Sequence, residues 1–347
     1  MSYKSPYKID SNIRKADTLK SSFYTDKNIF RNSIEKIFSS TWQYGLDINA
    51  LKSKNIYPID FLPETVCESL VITKNKEEIN CISNVCTHRG HIVCQKHKKG
   101  NNLSCRYHGR SFSLDGKLKN AVGFENSLNF PTPKDNLTEI PLRKWKNFLF
   151  FSLSKDSNNL FALEDIDSRL DKFPFNRLNF SEEFSNSFVI NTHWAMYCEN
   201  YLEGFHVPFV HKGLSNEINN QSYTTELLEN AVLQYASKKD ADDDLYAHYY
   251  WIFPNLMLNF YSWGLSINIV EPISTDKTRV HFLTFPIDES DDLKESILDL
   301  IKVEYEDQAV VESVCKGMKS RFYDSGRYSP KHEKGVHYFH SLLSRYI

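Results

Sequence analysis

The chain has 347 residues, 41% apolar and 25% charged, which suits two globular domains with buried cores. A formal net charge of -2 supplies no basic field to recruit nucleic acid. Apolar runs such as Tyr249–Phe253 are too short to cross a bilayer, and the opening MSYKSPYKIDSNIRK has no apolar signal core, so a cytoplasmic protein without membrane or nucleic-acid partners is expected.

Residues 10–44 read as helix and connector, with Phe30, Ile34, Ile37 and Phe38 at helical spacing before Thr41-Trp42. From about Tyr57 to Leu153 the pattern changes to short β-like runs, among them Ser69–Thr73, Cys81–Val85 and Phe148–Ser152. The stretch Ser111–Leu118 predicts a hairpin, its Asp115-Gly116 pair suited to a type I′ turn. Together these runs predict a small all-β domain.

Beyond it, one helix-like segment is expected between Asn191 and His211. Residues 213–244 read as a polar excursion ending in the acidic run Asp240–Asp244. Strands follow at Tyr246–Phe253, Leu256–Tyr261, Leu265–Glu271 and Thr278–Pro286. A long helix then runs from Asp291 to Lys319, with Leu293, Ile297, Leu300, Ile301 and Val303 on one face. An antiparallel sheet flanked by a long C-terminal helix makes the fold class α+β.

Five of the seven cysteines fall between Cys67 and Cys105, an odd total that argues for free or metal-bound thiols over a disulfide framework. Within that cluster stand Cys86-Thr-His88-Arg-Gly90 and Cys105-Arg-Tyr-His108-Gly109, with sixteen residues between His88 and Cys105. A Rieske [2Fe–2S] centre needs two thiolates on one iron and two imidazoles on the other. Gly90 and Gly109 would let the backbone approach the inorganic core. A structural zinc site is the alternative, although a Cys and a His only one residue apart are tighter than the usual zinc-finger pairs. Cys81 and Cys94 are expected to be packed thiols.

The second constellation is Asn200-Tyr-Leu-Glu203-Gly-Phe-His206-Val-Pro-Phe-Val-His211. Two histidines and a carboxylate can form the facial triad that leaves positions open on Fe(II). An offset of five puts the two rings about 140° apart on a regular helix, so a π-like widening or an unwound turn is expected, and Pro208 favours one.

Glu203-x-x-His206-x-x-x-x-His211, preceded by Glu199-Asn200-Tyr201, resembles the iron motif of Rieske non-haem iron ring-hydroxylating oxygenase α subunits. The resemblance also covers Trp42, the cluster loops, Trp145–Phe151, Pro254–Met257 and Glu312–Gly317. Respiratory-type Rieske proteins carry a further disulfide-forming cysteine in each loop, where this chain has His91 and Tyr107. The resemblance implies an N-terminal all-β Rieske domain joined to a helix-grip (START-like) catalytic domain, and a homotrimer. It implies a segment 1–44 packed on the catalytic domain, a Rieske domain over 45–155 and a catalytic domain over 156–347. It also implies a third iron ligand from the late helix, where Glu304, Glu306, Asp307 and Glu312 are candidates and Asp307 best matches the pattern. Glu203 resembles the acidic residue that links the cluster of one subunit to the iron of its neighbour. Position 205 is Phe where Tyr is frequent in the family.

The implied activity is that of a terminal oxygenase using O₂. Its electrons would come from an NAD(P)H-dependent flavin/iron–sulfur reductase or a ferredoxin, since the chain has no G-x-G-x-x-G dinucleotide fingerprint. Phe253-Pro-Asn-Leu-Met-Leu-Asn259 and the short length look like the choline/carnitine-monooxygenase branch. Hydroxylation or N-demethylation of a small quaternary-ammonium substrate is therefore expected, with aromatic hydroxylation or O-demethylation as the runner-up. An electron carrier without oxygenase activity is the competing class. Some of Tyr249, Tyr250, Trp251, Phe253, Tyr261 and Trp263 could cage a methylated ammonium, and the rest would be core.

Overall fold

The computed structural model describes residues 7–157, 160–214, 223–237, 245–288 and 291–347. The acidic run Asp240–Asp244 lies outside them. The chain divides into two compact units, one of residues 38–158 and one that joins residues 1–37 to 159–347.

The first unit is all β. One sheet pairs Ile56–Phe61, Glu68–Asn75, Glu78–Ser83 and Glu139–Ile140, a second Gln43–Asp47, Phe148–Phe151 and Leu142–Trp145. A third, of very short strands, orders Leu103–Ser104, Ser111–Phe112 and Leu118–Asn120. Ile56, Val71, Ile82, Leu103 and Phe112 form its core, and Cys86, Cys94 and Cys105 are buried in the same cluster. The hairpin at Asp115-Gly116 forms, but its turn is not type I′. Gly116 N–H donates to Ser113 O at 3.0 Å and only Gly116 has a positive φ, +84°, so Leu114 and Asp115 are the central pair. A right-handed turn followed by one left-handed glycine closes a hairpin as well as two left-handed residues do.

The second unit is built on a seven-stranded antiparallel sheet. Its order is Ser181–Ile190, Lys277–Pro286, Gly264–Ser274, Leu256–Tyr261, Leu245–Ile252, Ala231–Ser237 and Thr224–Leu228. The described part of the expected polar excursion, residues 223–237, is thus a hairpin at the sheet edge. Its helices are α1 (Ser21–Thr25), α2 (Lys27–Phe38), α3 (Phe161–Arg169), α4 (Trp194–Tyr201), α5 (Val207–Val210), α6 (Asp291–Gly317) and α7 (Lys334–Leu343), with α2 ending at the unit boundary. The periodic apolar residues of α2, Phe30, Ile34, Ile37 and Phe38, are all buried. On α7, Val336, Phe339, Leu342 and Leu343 are buried, and Phe339 meets Trp251 of the sheet with ring centroids 5.0 Å apart. None of the described helices is long and apolar enough to cross a membrane.

Candidate functional site

Two loops of the all-β unit are built alike. In one, Cys86 N–H donates to His91 O at 2.9 Å and Gly90 N–H to Cys86 O at 3.0 Å. In the other, Cys105 N–H donates to Arg110 O at 2.8 Å and Gly109 N–H to Cys105 O at 3.0 Å. Gly90 and Gly109 sit at φ +69° and +71°, and a Cβ on either would meet no atom within 4 Å. Left-handed backbone calls for glycine at both positions.

The loops bring the His88 and His108 rings to 4.6 Å between centroids. Both cysteines are buried, and burial chiefly raises the Cys86 thiol's pKa, with Cys105 beside it adding to the rise. His88 Nδ1 is buried with no hydrogen-bond partner. Two neighbouring thiols and two neighbouring imidazoles on the same pair of loops, one imidazole with an orphaned ring nitrogen, fit the mixed Cys₂His₂ demand of a Rieske cluster. Cys81 and Cys94 are buried, and Cys94 Sγ donates to Lys96 O at 3.2 Å.

The second site lies in the larger unit. Helix α4 ends at Tyr201, and Glu203 then folds over the next turn. One of its carboxylate oxygens accepts from the N–H groups of Phe205 and His206, the other from His206 Nδ1 at 2.7 Å. Pro208 falls in the first turn of α5, where its missing N–H costs nothing. This helix is a single turn flanked by His206, which keeps helical angles, and His211, where the chain leaves helical geometry at φ -105° and ψ 73°. Their rings come within 5.1 Å, as the five-residue offset required.

Helix α6 supplies the carboxylates. Asp307 Oδ1 is 3.0 Å from His211 Nε2 and 3.5 Å from His206 Nε2, and it accepts from Asn200 Nδ2 at 2.7 Å. Ligand atoms of His206, His211 and Asp307 all lie within 4.8 Å of one another. Glu306 accepts from His211 Nδ1 at 2.7 Å. With Glu203 and Glu306 each holding a Nδ1–H, both imidazoles turn Nε2 towards Asp307, the donor set and tautomers a mononuclear iron needs. Burial works against protonation of His211, but hydrogen bonds and charge from Asp307 and Glu306 outweigh it and raise its pKa. Of the other candidate acids, Glu312 binds Asn191 at 2.8–2.9 Å, away from the histidines. Glu304 is buried and accepts from Tyr197 Oη at 2.7 Å and Gln308 Nε2 at 3.0 Å.

A cavity of about 180 Å³ opens between the sheet and α6, lined by all three of His206, His211 and Asp307. Its floor is one cross-strand row, Gln234, Tyr249, Asn259, Ser266 and Thr284, each directly paired with the next. Of the aromatics, Tyr249, Tyr261 and Trp263 line the cavity, while Tyr250 and Trp251 are fully buried and Phe253 nearly so. Tyr261 stacks on Trp263 at 4.9 Å and meets Tyr249 edge-on at 5.9 Å. Sequence reading assigns no role to Gln234 and Ser266, nor to Asn200 and Asn259 beyond their places in motifs. Their signal was polarity at alternate positions of otherwise apolar strands, and for Asn200 its place three residues before Glu203.

Two family models match the chain. A model described as Rieske [2Fe-2S] domain matches residues 42–131, and one described as Ring hydroxylating alpha subunit (catalytic domain) matches residues 175–347. The chain belongs to the Rieske ring-hydroxylating oxygenase α-subunit family. It is an oxidoreductase, the terminal oxygenase of such a system, with a Rieske [2Fe–2S] cluster and a mononuclear iron as its cofactors. The catalytic-domain match leaves the electron-carrier reading without support.

Among relatives, the choline monooxygenase of Amaranthus tricolor is 29% identical over 93% of this chain and 76% of its own. The carnitine monooxygenase oxygenase subunit of Escherichia coli (strain K12) is 29% identical over 98% and 96%. The fold matches the quaternary ammonium Rieske monooxygenase CntA in complex with L-carnitine, TM-score 0.83, 24% identity and 99% of both chains. It also matches naphthalene 1,2-dioxygenase, TM-score 0.74, 15% identity and 95% and 92% of the two chains.

Proposed function

We propose that the enzyme hydroxylates or N-demethylates a small quaternary-ammonium compound held in the cavity beside His206, His211 and Asp307. The observation that carries this reading is the pairing of Tyr249, Tyr261 and Trp263 with the carboxylates of Glu203 and Asp307 around one cavity. Aromatic faces and carboxylates both attract a methylated cation that cannot donate hydrogen bonds. Curated relatives named for choline and carnitine support the same substrate class.

In the proposed assignment Cys86, His88, Cys105 and His108 hold the cluster, and His206, His211 and Asp307 hold the iron. When bound, the cluster supplies single electrons and the iron activates O₂. The chain's own residues orient and exclude. Glu203 and Glu306 fix the histidine tautomers, and Asn200 holds Asp307 in place. The apolar face of α6, including Ile297, Leu300 and Ile301, lines the cavity beside the cage. Residues 45–155 would carry the cluster and 156–347 the iron, with the N-terminal segment grouped with the latter up to residue 37 and not to 44. Electrons would come from an NAD(P)H-dependent flavin/iron–sulfur reductase or a ferredoxin. A homotrimer in the cytoplasm, with Glu203 linking one subunit's cluster to its neighbour's iron, completes the reading. The exposed Phe205 and Phe209 flanking His206 suit such a contact.

Calorimetric titration of the oxidised protein tests the substrate class. A trimethylammonium alcohol should bind, while the isostere with carbon in place of nitrogen should not. Trp263→Ala should weaken cation binding by roughly five- to thirtyfold, as loss of about 1–2 kcal/mol of cation–π attraction requires. Binding of neutral aromatic compounds with no response to the cation would instead favour aromatic hydroxylation.

A further inference from the structure

The residue after Gly109 in the second cluster loop is Arg110, only 3% exposed. Its guanidinium carbon lies 4.5 Å from the ring centroid of Phe124 and 5.2 Å from that of Phe130. Arg110 Nη1 donates to Thr87 Oγ1, in the first cluster loop, at 3.2 Å and to Asp135 Oδ1 at 3.4 Å. The Thr87 hydroxyl donates in turn to the Asp135 backbone carbonyl at 2.7 Å. Arg110 Nε is buried and has no partner. One arginine therefore ties both cluster loops to the segment at Asp135, with a donor left over.

Arginine is almost never buried so deeply without full pairing, and apolar side chains could join two loops at lower desolvation cost. Here the counter-charge is a single contact of 3.4 Å. Asp135 is kept ionised first by the Thr132 N–H, which outweighs its desolvation, and Arg110 adds to this. Arg110 also reaches the cluster ligands. Its backbone carbonyl accepts from the Cys105 N–H at 2.8 Å, and its Nη1 binds Thr87, the residue between Cys86 and His88.

We propose that Arg110 is a positioning residue that sets the reduction potential of the cluster, with Asp135 as its counterweight. This rests on assigning the cluster to Cys86, His88, Cys105 and His108. Reduction adds one electron, hence one negative charge, to the cluster, and the electron comes from the donor protein. A fixed cation in a low-dielectric pocket favours the charged product, and the Asp135 anion opposes it. Removing Arg110 leaves that anion uncompensated, so the two residues shift the potential in opposite directions.

The test is a redox titration of the intact protein followed by visible and EPR spectra, for the parent, Arg110→Gln, Arg110→Lys and Asp135→Asn. The expected result is a more negative midpoint for Arg110→Gln and a more positive one for Asp135→Asn, with Arg110→Lys closer to the parent. Unchanged potentials, or shifts of Arg110→Gln and Asp135→Asn in the same direction, would overturn the proposal and leave Arg110 as a loop staple. If Arg110→Gln assembles no cluster, Asp135→Asn decides: a positive shift supports the proposal, and none or a negative one defeats it. A parent without a Rieske-type reduced signal would instead overturn the cluster assignment itself.

Discussion

Four carboxylates near the iron site have different surroundings, and these set what each can do. Glu203 and Glu306 accept from histidine nitrogens and Asp307 faces both rings, whereas Glu304 meets only Tyr197 and Gln308. Burial pushes the Glu304 pKa up to about 7 from an ordinary 4.5, against the hydrogen bonds from those two partners. Between these values the folded chain keeps a proton that the unfolded chain releases, so stability is fullest below the unfolded pKa and falls as pH rises. The loss is complete above the folded pKa and amounts to roughly 3 kcal/mol at about 1.4 kcal/mol per pKa unit. Urea unfolding of protein stripped of its mononuclear iron should show this decline, and Glu304→Gln should lack it. An equally steep decline in the variant would mean that Glu304 is ionised throughout.

At the scale of elements, the seat of the iron loop is a backbone contact. Gly335, in the first turn of α7, lies so close to Leu202 that an added Cβ would stand 2.4 Å from the Leu202 carbonyl oxygen. Leu202 immediately precedes Glu203, so any shift of α7 moves the carboxylate that caps the turn before His206. Gly335→Ala should therefore destabilise the fold by about 1–3 kcal/mol, the usual cost of overpacking. It should also reduce retained mononuclear iron while the Rieske spectrum persists. A variant with parental melting temperature and iron content would show that α7 yields without disturbing the loop.

The elements also show where the sequence was legible. Phe30 to Phe38 and Leu293 to Val303 gave α2 and α6 because one face of each is apolar at helical period. The hairpin at 223–237 was missed because Thr224–Leu228, paired on one side only among the described residues, is nowhere fully buried, so no apolar run marks it. Strand Ser181–Ile190 lies at the other edge and, buried only at Ile190, reads as polar for the same reason. Its Phe184, Asn186 and Phe188 nonetheless face the cavity.

Across the whole molecule, the metal-site residues were easier to read than the framework. Cysteine and histidine at fixed short spacing carry their chemistry in residue type alone, so the cluster loops and the His206–His211 pair stood out before any fold was known. The carboxylate partner was harder, because Glu304, Glu306, Asp307 and Glu312 look alike in sequence. The family pattern favours Asp307, and three-dimensional placement puts it near both imidazoles and Glu312 on Asn191. The cage was legible as a set of aromatics, but not as the members that line a cavity, because that depends on register between strands far apart in the chain.

The central claim is that one chain holds two distinct iron centres. Iron and acid-labile sulfide per chain, measured with EPR spectra before and after dithionite, test it most directly. The parent should hold about three irons and two sulfides with a Rieske-type reduced signal, and the double variant His206→Ala/His211→Ala about two irons with the same signal. Colourless zinc-containing protein, or a parent whose iron content matches the double variant's even after added Fe(II), would contradict the account.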